Sequence, residues 1–540
     1  MDKYTNGMTL EEQIGQLLMV GFWGSTPSQE IIDLIQRHHV GNILLFSRNI
    51  REARQIFELT QSLQAIAQEA GQRYPLLIAI DQENGLVQRL GEAVTLFPGN
   101  MALGAIGSEK VAYEVALVTG RELKALGINM NLAPVVDVNN NPANPVIGVR
   151  SFGEDAQQVA RLAAAMVKGY HATGILDCLK HFPGHGDTAV DSHLALPTIP
   201  YALEWLEALE LVPFRSGIEA GAESVMIAHV SFPALTRQDM LPATLSSAIV
   251  QGLLREKLGF NGVILSDCLE MKAISETFGT ERAAVMALQA GIDLVLVSHH
   301  YTQQLGSIEA IQAAVQAHEL SPQAVQQAAE RVLGFKASYL SWNDISPSTT
   351  FPASIGCEAH IQLQDQAYEL STTLVRNADA LLPLHLKSGE RIVVLSPQRN
   401  SMSMVEDRYY SDEVLADIIQ QYHSPVRRLS IAQGPVEDAY RELLQTSSES
   451  DIFIVATVNA HLDERDEQQA EVVRYLVASG RRIIGIAVRN PYDLLAFPQL
   501  RTYLVTYEYT RPALTAAVRV IFGERQAQGH LPVSIPLMND

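Results

Sequence analysis

Short, almost continuously apolar runs alternate with longer stretches of helical periodicity through the first 300 residues. Such runs are typical of strands buried on both faces, as in parallel sheets, and the longer stretches suit crossover helices. Eight such units within about 280 residues predict an α/β fold, a (β/α)8 TIM-like barrel, with a doubly wound open sheet as the alternative. The eight runs predicted as strands cover residues 17–22, 40–46, 76–81, 130–137, 175–180, 224–228, 262–267 and 292–297.

A second domain follows the barrel. Residues 341–356 are rich in Ser, Thr and Pro, a composition typical of an interdomain linker. Beyond them, further apolar runs at 391–395, 452–456, 483–488 and 503–506 are separated by helical stretches, which predicts a smaller α/β sandwich around a mainly parallel sheet. The chain thus divides into a barrel (1–340), a linker (341–360) and a C-terminal sandwich domain (361–540).

Polar side chains stand where five of the predicted barrel strands end. Active sites of this fold collect at the carboxyl ends of the strands, so we expect these side chains to meet at one mouth of the barrel. Packing alone does not explain polar groups at the same end of five strands. The residues are Asp81, Gln82 and Glu83 on the third strand, Lys180 and His181 on the fifth, His229 on the sixth, Asp267 on the seventh, and His299 and His300 on the eighth.

The densest polar segment, KHFPGHGDTAVDSHLALP (180–197), follows the fifth predicted strand. Pro183, Gly184 and Gly186 prevent a helix through its first half, so the segment is a loop. Three interpretations are open: a polar surface loop, a metal site, or a device for acid–base catalysis. In the third, Asp191 accepts the imidazole Nδ1–H of His193, which fixes the tautomer and raises the basicity of the ring.

Acid–base catalysis requires a reactive group opposite this loop. Asp267 ends the seventh predicted strand and would lie across the barrel mouth from it. One carboxylate that attacks, and one group that protonates the leaving oxygen and then activates water, form the arrangement of a retaining glycosidase. The alternative for Asp267 is a capping role at the helix that follows.

Composition and charge exclude several other functions. Acidic residues outnumber basic ones by 60 to 39, a net charge of −21 that argues against binding nucleic acid or anionic membranes. Cys178, Cys268 and Cys357 lack CxxC spacing, which excludes a disulfide framework and a thiolate zinc site. The N-terminus does not resemble a signal peptide and no apolar run approaches membrane-spanning length, so we expect a cytoplasmic protein.

The motifs taken together resemble glycoside hydrolase family 3, and most closely its β-N-acetylglucosaminidase branch. The histidine-rich segment 180–197 is the most specific of them, and the resemblance extends over nearly the whole chain. The other matching segments are TLEEQIGQLLMVGF (9–22), AIDQENGLVQRL (79–90), NLAPVVDVN (131–139), RSFG (150–153), PATLSS (242–247), GFNGVILSDCLEMKAI (259–274) and FGERQAQGHLPVSIP (522–536).

The resemblance also implies roles for individual residues. Asp267 would be the nucleophile that forms a covalent glycosyl-enzyme, and His193 the general acid/base with Asp191 as its partner. Other branches of the family use a carboxylic acid from the second domain, whereas here the barrel itself would supply a histidine. Asp81 would hold hydroxyls of the terminal sugar. The rest of that binding shell would be Arg89, Arg150, Lys180 and His181.

We therefore expect a retaining, exo-acting glycosidase that removes terminal β-linked N-acetylglucosamine from cell-wall or chitin-derived oligosaccharides, including muropeptides. Asn84, Leu86 and Val149 depart from the family pattern beside the sugar-contacting positions, so the aglycone preference stays open. A phosphorylase is the first alternative, because a neutral imidazole does not repel phosphate. A non-catalytic sugar-binding protein is the second. We expect a small carbohydrate as the partner, and neither a metal ion nor a cofactor.

Overall fold

Eight parallel strands form one curled sheet in the N-terminal part of the chain. The computed structural model describes residues 3–238, 240–345, 350–397, 405–406, 411–431, 443, 448, 451–462 and 467–536. Along the sheet the strands follow the order fourth, third, second, first, eighth, seventh, sixth, fifth. In chain order they are Leu18–Val20, Asn42–Leu45, Leu77–Ile80, Met130–Asn131, Leu179–Phe182, Ser224–Ile227, Val263–Cys268 and Leu294–Val297.

The two edges of this sheet meet. Parallel bridges join Met130 to Leu176 and Val135 to Lys180, so the fourth and fifth strands lie side by side. This curled parallel sheet confirms the predicted fold class. Because every strand is buried on both faces, the side chains available to a ligand are those at the strand ends and in the loops that follow.

Helices connect the barrel strands, and several of them begin at a side-chain N-cap. Thr9 forms a reciprocal capping box with Glu12, and Asp155 accepts the backbone N–H of Gln158. The helices are Leu10–Gly15, Gln29–Gln36, Ala53–Glu69, Asn100–Ile106, Glu109–Ala125, Ala156–His171, Leu203–Ala208, Leu211–Glu219, Pro233–Thr236, Lys272–Ser275, Thr280–Ala290, Tyr301–Gln316 and Pro322–Tyr339, with a π-helix at Ala248–Lys257. Within the described ranges no helix is long and apolar enough to cross a membrane.

The C-terminal domain contains a six-stranded mixed sheet with its own apolar core. Four of its strands are those predicted, and two edge strands were missed because they are only half-buried and do not form apolar runs. The strands are Thr373–Asn377, Ile392–Pro397, Val426–Ile431, Ile452–Thr457, Arg482–Ala487 and Thr502–Val505; the first pairs antiparallel with the last. The helices are Glu358–Ser371, Val414–Gln420, Glu467–Ala478 and Arg511–Ile521.

The second domain contacts the loops after the third and fourth barrel strands, at the mouth of the barrel. Asn139 donates to the hydroxyl of Tyr492 over 2.9 Å, and Arg89 donates to the carbonyl of Val405 over 2.6 Å. The backbone N–H of Glu154 reaches the carbonyl of Pro532. These contacts bring the C-terminal domain to the edge of the predicted site.

Candidate active site

A cavity of about 330 Å³ opens at the carboxyl ends of the barrel strands. Apolar side chains on or directly after several strands, such as Leu132, Met226 and Leu296, form part of its wall, and Val405 reaches it from the second domain. Seven of the eight predicted site residues line this one cavity, and Asp191 contacts one of them from behind. The seven are Asp81, Arg89, Arg150, Lys180, His181, His193 and Asp267.

A compact network of charged groups forms one wall of the cavity. The Nζ atom of Lys180 lies 2.7 Å from an oxygen of Asp81 and 2.7 Å from an oxygen of Glu83. Arg150 binds Glu83 with two nitrogens, at 2.8 and 2.9 Å, and Arg89 lies 3.7 Å from Asp81. Charged, mutually fixed groups of this kind make the strong hydrogen bonds that recognise hydroxyl groups.

Glu83 is a central member of this network, although the family resemblance implies no role for it. Burial alone would raise the pKa of its carboxyl, but Arg150 and Lys180 outweigh burial and hold that pKa well below its usual range. Burial likewise opposes the charge of Lys180, yet the two carboxylates raise its pKa. Asp81 and Glu83 are two residues apart, and on extended backbone this spacing places both side chains on one face, which is a signal that the sequence did contain.

His181 is oriented from behind by a carboxylate. Asp137 is fully buried and accepts the Nδ1–H of His181 over 2.7 Å, so Nε2 of that ring lies on the side of Arg150, 3.4 Å from its guanidinium. Burial would raise the pKa of Asp137, but His181 outweighs it and lowers that pKa. The other oxygen of Asp137 accepts the backbone N–H of His185 over 2.8 Å, which ties the start of the histidine-rich loop to the segment after the fourth strand.

His185 holds the histidine-rich loop together from inside. Its Nδ1 lies 2.8 Å from the hydroxyl of Thr188, and its Nε2 lies 3.1 Å from the hydroxyl of Ser192. Burial, reinforced by the neighbouring His181, lowers the pKa of His185 to about 4. The ring is therefore neutral near pH 7 and serves as a bridge between two hydroxyls rather than as a charged group.

The glycines of the loop allow it to pack closely on the fourth βα loop. A Cβ atom at Gly186 would lie 1.7 Å from the carbonyl oxygen of Val138, which no ordinary contact permits. The side chain of Asn144 donates to the carbonyls of His185 and Gly186, at 2.9 and 2.7 Å. Backbone contact and side-chain hydrogen bonds therefore fix the segment that leads to Asp191 and His193.

Asp191 and His193 form the hydrogen-bonded pair that the sequence predicted. One carboxylate oxygen of Asp191 accepts both the backbone N–H and the Nδ1–H of His193, each over 2.8 Å. Burial would raise the pKa of Asp191, but His193 outweighs it and lowers that pKa, so the carboxylate is ionised. With Nδ1 engaged, Nε2 of His193 is the nitrogen left for proton exchange in the cavity.

Asp267 lies at the end of the seventh strand and is also ionised. Its Oδ1 accepts the backbone N–H of Cys268 over 2.7 Å. Burial would raise the pKa of Asp267, but His229, His181 and His193 outweigh it and lower that pKa. A carboxylate that is kept charged and only lightly hydrogen-bonded is suited to nucleophilic attack.

Two of the histidines at strand ends do not line the cavity. His229 lies 2.7 Å from the hydroxyl of Thr244 and 3.0 Å from the carbonyl of Cys268, so it supports the backbone beside Asp267. His300 binds Glu270 at the surface. These two histidines contact neighbouring protein groups and do not form part of the cavity wall.

Cys268, Glu270 and His299 form the one cluster among the described residues that has metal-ligand spacing. The donors are already committed, because Glu270 accepts the backbone N–H groups of residues 298, 299 and 300. Arg48 also places a guanidinium nitrogen 3.1 Å from Nδ1 of His299, where a cation would be repelled. The cluster therefore does not fit a metal ion, and the expectation of a site without metal stays a prediction.

Comparison with known proteins gives consistent matches over both domains. Residues 9–335 match the model of the "Glycosyl hydrolase family 3 N terminal domain", and residues 372–540 match that of the C-terminal domain. Beta-hexosaminidase A of Pseudoalteromonas piscicida is 32% identical, and the match covers 98% of this chain and 97% of that protein.

Two solved structures are also similar to the chain. A glycoside hydrolase family 3 beta-N-acetylglucosaminidase from Paenibacillus sp. str. FPU-7 has a TM-score of 0.90 at 40% identity, covering 98% of this chain and 99% of that one. A fungal multi-domain GH3 beta-N-acetylglucosaminidase has a TM-score of 0.93 at 42% identity and 98% coverage of this chain. The chain spans only 61% of the fungal protein.

Proposed function

The chain belongs to glycosyl hydrolase family 3, and from that premise we propose that it is a retaining exo-glycosidase that removes terminal β-linked N-acetylglucosamine. The names of its relatives, a beta-hexosaminidase and a beta-N-acetylglucosaminidase, support this substrate. The observation that carries the proposal is that Asp267 and the histidine of the Asp191–His193 pair line a single cavity. Asp267 is charged, and His193 is oriented by Asp191 for proton transfer.

In the first step, Asp267 attacks the anomeric carbon and the glycosidic bond breaks. His193 gives the proton on its Nε2 to the departing oxygen, and the aglycone leaves as an alcohol. Asp191 faces the imidazolium across Nδ1, so it stabilises the protonated form that the step requires. The product is a glycosyl ester on Asp267.

In the second step, His193 is neutral and works as a base. It takes a proton from a water molecule that attacks the anomeric carbon, and the bond to Asp267 breaks to release its carboxylate. Two inversions at the anomeric carbon give net retention. The imidazole has then regained its proton and the site is ready for another turnover.

The charged wall of the cavity is suited to a terminal sugar. Asp81 accepts hydroxyl protons, while Lys180, Arg89 and Arg150 donate to hydroxyl oxygens. Glu83 keeps two of these cations in place. A cavity of about 330 Å³ lies at the lower end of the range for ligand sites and suits one substituted sugar ring, which supports exo action.

The direct test is the configuration of the first product. We expect the enzyme to release N-acetylglucosamine from an aryl β-N-acetylglucosaminide as the β-anomer, seen by proton NMR before mutarotation. Initial release of the α-anomer would contradict the double-displacement mechanism. Binding without any release would support the non-catalytic alternative.

Phosphorolysis is a second candidate because the acid/base is an imidazole. A carboxylate base would repel phosphate, whereas a neutral imidazole does not. His193 is the group whose hydrogen bond to Asp191 fits the role of the acid/base. The same reaction run with phosphate distinguishes the two: sugar 1-phosphate indicates phosphorolysis, and free sugar alone indicates hydrolysis.

Three further expectations stay predictions: the natural source of the oligosaccharide, the cytoplasmic location, and the domain limits at 340 and 361.

A further inference from the structure

The fourth βα loop (residues 132–155) lies between the C-terminal domain and the histidine-rich loop. On the barrel side, the side chain of Asn144 donates to the carbonyl of Gly186 over 2.7 Å. On the other side, the carbonyl of Pro142 accepts a hydrogen bond from Nε2 of His461 over 3.2 Å. A side chain of the second domain therefore binds the loop two residues away from a contact that fixes the histidine-rich loop.

His461 makes both of its ring hydrogen bonds to groups that only accept. Its Nδ1 lies 2.9 Å from Oδ1 of Asp493, and its Nε2 faces the carbonyl of Pro142. A neutral imidazole has one N–H, whereas a carboxylate and a carbonyl on opposite sides of the ring require two. The two contacts together therefore require the imidazolium form of His461, with Asp493 as its counter-charge.

This ion pair is enclosed by protein and is not the only contact to the loop. The side chains of His461 and Asp493 are 5% and 0% exposed, so their charge-assisted hydrogen bond is not weakened by water. The ring of Tyr492 packs on the imidazole with centroids 5.4 Å apart, and its hydroxyl accepts a hydrogen bond from Asn139. The second domain thus holds the fourth βα loop at two points.

We propose that His461 is a positioning residue for the general acid/base, because it holds the fourth βα loop where that loop fixes the histidine-rich loop. The inference rests on the proposed glycosidase function, in which His193 transfers the proton. Asn144 also donates to the carbonyl of His185, and Nε2 of His185 lies 3.1 Å from the hydroxyl of Ser192. Ser192 directly precedes His193, so a loosened loop displaces the acid/base from the leaving oxygen.

The sugar-binding wall and the nucleophile are fixed by other contacts. Arg150 comes from the fourth βα loop too, but it binds Glu83 with two nitrogens and its backbone carbonyl accepts from Asn100. Asp267 lies on the seventh strand and is held by the backbone N–H of Cys268. We therefore expect loss of the His461 contact to impair proton transfer and to leave sugar binding and nucleophilic attack intact.

The test compares a substrate that needs the general acid with one that does not. Methyl N-acetyl-β-glucosaminide has a poor leaving group, whereas 2,4-dinitrophenolate leaves without a proton. In His461→Gln, one amide nitrogen and one amide oxygen face two acceptors, so one of the two contacts is lost. We expect kcat/KM to fall about tenfold on the methyl glycoside, a part of the roughly 10²–10⁴-fold that general acid catalysis supplies, and to stay within about twofold on the 2,4-dinitrophenyl glycoside.

Asp493→Asn is a second variant that disturbs the packing less. Without the carboxylate the ring loses its counter-charge and the second proton, so one contact is again lost, and we expect the same difference between the two substrates. The double variant His461→Gln/Asp493→Asn offers an amide N–H at position 493 to the glutamine oxygen, and the glutamine nitrogen to the carbonyl of Pro142. We expect it to regain most of the lost kcat/KM on the methyl glycoside.

His385→Gln, at an exposed histidine of the same domain, is the matched control and leaves both values unchanged. Equal losses on the two substrates in the single variants, or no loss on either, would overturn the positioning role. A double variant no more active than the single ones would overturn it as well. A wild type that releases no sugar from either substrate would instead overturn the glycosidase assignment on which the inference rests.

Discussion

Glu210 is a buried carboxyl that supports the histidine-rich loop from below. It accepts a hydrogen bond from the side chain of Asn140 over 3.1 Å, and a Cβ atom on Gly184 would lie only 2.6 Å from its Oε2. Burial, reinforced by the negative charge of Asp137, raises the pKa of Glu210 to about 8 from an ordinary value of 4.5. The folded protein therefore keeps this carboxyl protonated at neutral pH.

This pKa makes the stability of the barrel depend on pH. Between pH 4.5 and 8 the folded state holds a proton on Glu210 that the unfolded state has released. The free energy of unfolding therefore falls as pH rises through this window, by about 1.4 kcal/mol per pH unit and roughly 3–5 kcal/mol in all. Below pH 4.5 both states are protonated and the effect vanishes.

Glu210→Gln removes the titrating group and keeps an oxygen for Asn140. We expect its free energy of unfolding, relative to wild type, to rise by roughly 3–5 kcal/mol from pH 4.5 to pH 9. Urea unfolding followed by tryptophan fluorescence measures this, because Trp23 and Trp205 both lie in the barrel. Glu204→Gln, at an exposed position nearby, is the control and shows no such change. A pH-independent difference for Glu210→Gln would refute a buried, protonated carboxyl.

Three further predictions concern the site. In His193→Ala, we expect the rate of hydrolysis of unactivated glycosides to fall by about 10²–10⁴-fold. The variant still forms the glycosyl-enzyme readily from a 2,4-dinitrophenyl glycoside, and it then stalls until azide attacks the intermediate. Equal losses on both substrates would show that His193 does not transfer the proton. EDTA leaves activity unchanged, and loss restored by zinc would reinstate a metal site. Gly186→Ala brings its Cβ within 1.7 Å of the Val138 carbonyl and lowers both the melting temperature and activity on every substrate; a stable, fully active variant would contradict the packing of the loop.

The barrel was predictable because its strands are buried on both faces. Such strands appear in the sequence as continuous apolar runs. The boundaries of individual strands were predicted less accurately. The sequence predicts the fifth strand at 175–180, but the strand lies at Leu179–Phe182, so His181 is inside the strand rather than after it. The missed strand Val426–Ile431 lies at a sheet edge and alternates half-buried with exposed positions, so its sequence lacks an apolar run.

The predicted site residues largely share one cavity because local sequence places them at the same ends of parallel strands. What the sequence did not reveal depends on contacts between distant segments. Val405 reaches the cavity from the second domain, and Trp23 stays exposed because His299 and Arg48 fix its ring. His229 stands at a strand end like its neighbours, but its bonds to Thr244 and Cys268 hold it outside the cavity.

The central claim is that Asp267 forms a covalent bond to the sugar, and one mass-spectrometric measurement tests it most directly. His193→Ala is mixed with 2,4-dinitrophenyl N-acetyl-β-glucosaminide, quenched in acid during the stalled phase and digested with pepsin. We predict that the peptide containing Asp267 gains the mass of one N-acetylglucosaminyl group and that fragmentation assigns it to this residue. A burst of dinitrophenolate with the sugar on another carboxylate, or on none, would contradict the mechanism.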